Sequence, residues 1–195
     1  MMFQTYLHEK ELTYSGPELS PHFILSRFKV EGSCLAAFIG PCFVKTDHLV
    51  DWEDRLANDH IKASMMVHFL GEFFGLTLRE GVWIQRLIVS QIHANLLTEF
   101  KANPKIVIER SGDDLFVKDS GGPAQKLSVS IVTASPVSIL LHLGINVDST
   151  GAPVAATGLA NLNLDPKLFA QKILTWFSTE FESVERACVK VRPVI

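Results

Sequence analysis

The feature that most constrains this chain is the run VSILLHLGINV at residues 137–147, which is apolar almost throughout. A strand with that pattern needs cover on both faces, so the fold must bring a layer to each side of a sheet. The neighbouring segments supply partners for it. Residues 126–133 alternate, with Leu127, Val129 and Ile131 facing one way and Ser128 and Ser130 the other. Ser135-Pro136 lies between the two runs and predicts an antiparallel hairpin. Residues 106–109 and 115–118 flank a Gly112-Asp113-Asp114 turn, as a second hairpin would. Residues 34–39 read as a short apolar strand that ends at Gly40-Pro41.

Three segments carry a helical period. Ile61, Met65, Phe69 and Phe73 fall four apart behind Asn58-Asp59, either of which can cap a helix. Ile84, Ile88, Ile92, Leu96 and Phe100 form a second stripe, closed by Asn103-Pro104. Asp165-Pro166 opens a third with an N-cap and a first-turn proline, and Phe169, Ile173, Phe177 and Phe181 give its buried face. The expected class is therefore α+β, a mixed or antiparallel sheet packed with helices. Residues 1–195 read as a single domain, because no linker or repeat divides them.

Composition limits the function classes. Lys+Arg 18 against Asp+Glu 21 gives a net charge of -3, without the basic excess that nonspecific nucleic-acid binding needs. No apolar stretch approaches the roughly 20 residues of a membrane span, and no export signal opens the chain. A cytoplasmic protein with a small-molecule partner is expected, and a homodimer is left open. Three cysteines, Cys34, Cys42 and Cys188, are too few and scattered for a disulfide scaffold or closed zinc site.

In order and spacing, Asp113-Asp114-Leu115, Lys126-Leu127 and Gly144-Ile145-Asn146 resemble the catalytic core of the biotin and lipoate protein ligases. The helix over 84–100 ahead of the first element, and a helix near 19–28 before the strand into Gly40, fit the same order. The stretches SGPELSPHFI, AAFIGPC, HLVDWED, QRLIV, KLSVSI and HLGINV are similar to a family of domains of unknown function over nearly the whole chain. The ligase resemblance implies that Lys126 meets a carboxylate and the α-phosphate of ATP, with magnesium accompanying the nucleotide. A fixed ammonium there would offset growing negative charge. From its position alone, Lys126 reads equally as a solvated lysine at a strand edge.

Two departures qualify the resemblance. Asp113 stands where the ligases carry Asn, which removes a donor and adds negative charge. The phosphate-holding glycine- or arginine-rich loop has no counterpart, and Thr46-Asp47-His48-Leu49-Val50-Asp51-Trp52-Glu53-Asp54 stands in its place. Within that tract His48 and Asp51 are the preferred catalytic candidates, because they follow the expected strand end at Gly40. A charged helix start explains the same residues. Arg86 is a candidate anion anchor or a surface ion-pair partner. Gly40, Asn146, His142 and Asp114 complete the ligand-binding candidates, and His142 must find a hydrogen-bond partner inside an apolar strand. His68 and Glu72 read as a pair on one helix face.

The leading expectation is a pocket bounded by Gly40, His48, Arg86, Lys126 and Asn146 for a carboxylate-bearing or nucleotide-like ligand, serving acyl or adenylyl transfer. One alternative is a non-catalytic binding or interaction module on the same scaffold. The other is a metal-dependent hydrolase built on His48, Asp51, Glu53 and Asp54, although their spacing matches no known metal motif.

Overall fold

The computed structural model describes residues 3–194. In chain order the first half contains β1 (Gln4–Leu7), α1 (Phe23–Phe28), β2 (Cys34–Val44), α2 (Trp52–Leu56), β3 (Ile61–Phe74) and α3 (Leu78–Glu99). The second half contains β4 (Ile106–Ser111), β5 (Asp114–Asp119), β6 (Gln125–Lys126), β7 (Ser128–Ala134), β8 (Ser138–Asp148) and α4 (Pro166–Val189). A five-stranded sheet in the order β1-β2-β3-β8-β7 forms the centre, and β4-β5-β6 form a small second sheet. Among the strand pairs of the described residues only β1–β2 is parallel, so the large sheet is mixed.

The apolar run 137–147 becomes β8, paired with β3 on one side and β7 on the other. Both of its faces are covered, as that pattern requires. Against one face pack α3 and α4, whose Ile88, Ile92, Ile173 and Phe177 meet Val67, Phe69, Leu141 and Leu143. Against the other lie Tyr14, Ile24 and Phe28, which meet Phe38, Met66 and Leu70. The α+β class and the two expected hairpins are present.

Residues 61–74 are the clearest departure from expectation, a strand rather than a helix. A spacing of four fits a helix face, but it is also two full periods of a strand. Both faces of this strand are covered, so the polar residues of its inner stretch, His68 and Glu72, are buried and mark no solvent face: Val67, Phe69 and Phe73 enter the helix-side core, Met66 and Leu70 the opposite one. The backbone groups of β2 and β8 both need a partner, and β3 satisfies the two at once. Nor does Gly40-Pro41 end β2. The strand continues to Val44 across a register shift between Gly40 and Cys42, where a bulge tolerates a residue without an N–H.

The long helices begin and end where local chemistry directs. Thr77 and Glu80 form a reciprocal capping box ahead of α3, starting it a turn and a half before the Ile84 stripe. Asp165 caps α4 by accepting from Leu168 N–H at 2.8 Å, with Pro166 in the first turn. No helix of the described residues is long and apolar enough to cross a membrane.

Candidate functional site

Three stretches far apart in sequence meet at one end of the large sheet. The backbone N–H of Leu127 donates to Leu115 C=O at 2.8 Å, and that of Asn146 donates to Leu127 C=O at 2.9 Å. The Lys126 carbonyl accepts from the Asn146 side-chain amide at 3.2 Å and from Thr157 N–H at 3.1 Å. The Lys126 ammonium pairs with Asp114 at 2.9 Å. Both side chains are 30% exposed, so water screens this pair and its stabilisation is under about 1 kcal/mol.

Beside these groups is a hollow of about 130 Å³, walled by Lys126, Asn146, Lys62, His60, Asp59 and the loop 152–156. It is not the largest concavity: a cleft of about 640 Å³ lies near Ser33 and Phe74, where His22 and Glu185 join Phe3, Leu25 and Phe181 in the lining. The hollow is distinguished by two lysines, Lys62 and Lys126, that line it together with Asn146. Lys62 belongs to no ion pair among the described residues. Negative charge is also abundant. The Asp54 carboxyl is pushed up from its ordinary range by burial and by the nearby Asp51 and Asp59 charges, an effect that Lys126 opposes and Asp114 reinforces.

That balance bears on magnesium and ATP. A triphosphate would meet two lysines, one already paired, among Asp54, Asp59 and Asp114. The hollow is also well below the roughly 300–1,000 Å³ of pockets that enclose drug-sized ligands. Among the described residues, no three His, Cys, Asp or Glu side chains converge to hold a metal ion. The donor set does not fit a magnesium–ATP complex.

Of the expected pocket residues, only Lys126 and Asn146 line this hollow. Asp114 reaches it through its ion pair. His48 is exposed, and its Nδ1 lies 3.0 Å from Ser15 C=O. Asp51 caps α2, accepting from Glu53 and Asp54 N–H groups. The separation follows from the bulged continuation of β2, which carries the tract after Gly40 beyond the expected strand end. Arg86 pairs with Asp113 at 3.2 Å. Asp113 also accepts from Gln85 Nε2 and Ser130 Oγ, each at 2.9 Å, which ties α3 to the β4–β5 turn and β7. An acceptor-only carboxylate suits these three donors. The serine side of the β7 alternation is accordingly turned toward α3.

Gly40 and His142 belong to a second polar cluster, on the opposite face of the sheet from α3. A side chain at Gly40 would run into the Leu12 carbonyl. The Gly40 C=O accepts from His68 Nε2 at 3.2 Å. That fixes His68 Nδ1 as an acceptor, so His142 Nε2–H donates to it at 3.0 Å. Tyr14 stacks on His142 with ring centroids 3.7 Å apart. Burial draws His68 down to about 4 and His142 well below its ordinary value, the His68 charge adding to the latter. Burial also pushes Tyr14 up, and raises the Cys34 and Cys42 thiols to about 12. His68 and Glu72 do not pair: Glu72 accepts from His22 N–H and Ser138 Oγ.

Sequence reasoning missed Asp59, His60 and Lys62. Their signal lies in the strand phase of 61–74, which brings Lys62 to the hollow beside Lys126 and Asn146 and which the four-residue spacing conceals.

A family model described as Domain of unknown function (DUF366) matches residues 3–192. The chain belongs to the DUF366 family. A Methanocaldococcus jannaschii protein described as uncharacterized is 28% identical over 190 residues, covering 94% of this chain and 82% of that one. A solved structure described as a protein of unknown function from Pyrococcus horikoshi is 33% identical, with a TM-score of 0.87 over 99% of this chain and 100% of that one. The apo biotin protein ligase of Aquifex aeolicus superposes with a TM-score of 0.52 at 17% identity, over 95% of this chain and 72% of that chain. The last likeness shows that this DUF366 chain shares the ligase fold.

Proposed function

We propose that residues 1–195 act as one ligase-like domain that binds a small carboxylate- or phosphate-bearing molecule in the Lys126 hollow. The observation that carries this reading is the meeting of Lys126, Asn146 and Lys62 around one small concavity. Lys62 supplies an ammonium with no ion-pair partner among the described residues, and Lys126 a second that an incoming anion shares with Asp114. Ile61, Val129 and Val154 give the apolar wall for a short carbon body. In an acyl transfer free of nucleotide, Lys126 would offset charge developing on the acyl oxygen.

Calorimetric titration with carboxylates from acetate to octanoate, lipoate and inorganic phosphate tests the reading. Saturable binding is expected, weakened about tenfold or more by Lys126→Ala and unchanged by His48→Ala. No saturable binding of any probe, or undiminished affinity in Lys126→Ala, removes it.

The second reading is a non-catalytic interaction module on the same scaffold. The Asp114 ion pair favours it, because the ammonium already has a partner. Binding in the hollow without turnover of any acyl donor would support this version.

A further inference from the structure

We propose that the C-terminal segment of one copy docks between α3 and α4 of a second copy, giving a two-fold dimer by exchange of tails. The two helices leave between them a groove of about 300 Å³, walled by Trp83, Ile84, Leu87, Phe177, Phe181 and Val184. Trp83 is 67% exposed, a large apolar surface left open to water. The apolar stripe of α4 continues past the body of the protein, from the buried Phe177 to the exposed Val184 and Cys188. Beyond it residues 189–194 read Val-Lys-Val-Arg-Pro-Val. Val189, Val191 and Val194 are 82%, 67% and 93% exposed, so this segment does not cover the groove of its own chain. Pro193 lacks an N–H and discourages further helix. Apolar side chains clustered in the open, rather than scattered singly, mark a contact surface.

Charge identifies the occupant. Glu80 and Glu185 line the groove. Lys190 and Arg192 alternate with the tail valines, and neither they nor Glu185 enter an ion pair among the described residues. An apolar groove bearing acids therefore complements an apolar tail bearing bases, and every chain carries both. A two-fold arrangement satisfies the two contacts together, whatever the Lys126 hollow binds.

Sedimentation equilibrium of the full chain at micromolar concentrations is expected to show a dimer. Val189→Asp with Val191→Asp should shift it to monomer with an unchanged circular dichroism spectrum, since both side chains are exposed. Glu185→Lys alone, and Lys190→Glu with Arg192→Glu, should each weaken the dimer about tenfold. Mixing these two charge-reversed proteins should restore pairing. A wild type that stays monomeric throughout, or a dimer indifferent to the valine substitutions, overturns the proposal.

Discussion

The Tyr14–His142–His68 column and the Lys126 hollow are both polar insertions in an apolar fold, and they are closed off to different degrees. The column sits between β2, β3 and β8, with His68 fully buried and His142 only 3% exposed. Its hydrogen bonds point at one another and at a backbone carbonyl, which leaves no room for a ligand. The hollow sits at the sheet's end, where Lys126 and Asp114 keep nearly a third of their side-chain surface in water. Burial in the first case sets protonation and holds strands together. Partial exposure in the second leaves charge available to an incoming molecule. The histidine inside β8 is thus committed to structure, while the lysine in β6 stays open to water.

The largest expected consequence is on stability. His142→Ala removes the stack on Tyr14 and leaves His68 Nδ1 without its donor, at a cost of about 2–4 kcal/mol in denaturant unfolding. Lys126→Ala should cost less than about 1 kcal/mol in the same assay, because it breaks only a screened ion pair. Equal costs for the two would erase the distinction between the regions.

Next is the dependence on pH. Both histidines have folded pKa values below the unfolded value near 6.5, so the unfolded chain binds the extra protons as the medium acidifies. Their contribution is complete above about pH 6.5 and is lost as pH falls toward 4, by about 1.4 kcal/mol per histidine for each pH unit. Unfolding midpoints measured from pH 7 to pH 4 check this. His142→Ala should flatten the profile, whereas Lys126→Ala should leave the slope near pH 6 unchanged and act only in the carboxylate range, where it removes the charge that holds down Asp54.

A smaller effect concerns the hollow alone. Asp114→Asn frees the Lys126 ammonium and should tighten binding of acetate or inorganic phosphate several-fold, by about 1 kcal/mol in calorimetry. The smallest concerns the thiols. Exposed Cys188 should react with a maleimide in the native protein, while Cys34 and Cys42, buried and held protonated, should react only on unfolding.

Much of this fold was legible in the residues themselves. Asp165-Pro166 marked the start of α4, the Ile84–Ile88–Ile92 stripe marked α3, and the unbroken apolar run marked β8 between two layers. The strand β3 was hidden because a four-residue spacing belongs to both periods, and its inner polar residues, His68 and Glu72, are themselves four apart and buried, so they mark no solvent face. Of the candidate residues, the order of Lys126 and Asn146 foretold that they come together, and they do. The site was not legible around His48, Asp51 and Arg86, whose partners depend on where the bulged β2 ends and how α3 meets the β4–β5 turn. Lys62 could be found only once β3 was known to be a strand.

The most direct test of the central claim is a titration followed by NMR on protein whose lysines carry ¹³C-dimethyl labels. With octanoate or inorganic phosphate as probe, the account predicts saturable shifts concentrated on Lys62 and Lys126, and their loss in Lys126→Ala. Shifts spread evenly over the surface lysines, or confined to lysines away from the hollow, would contradict it.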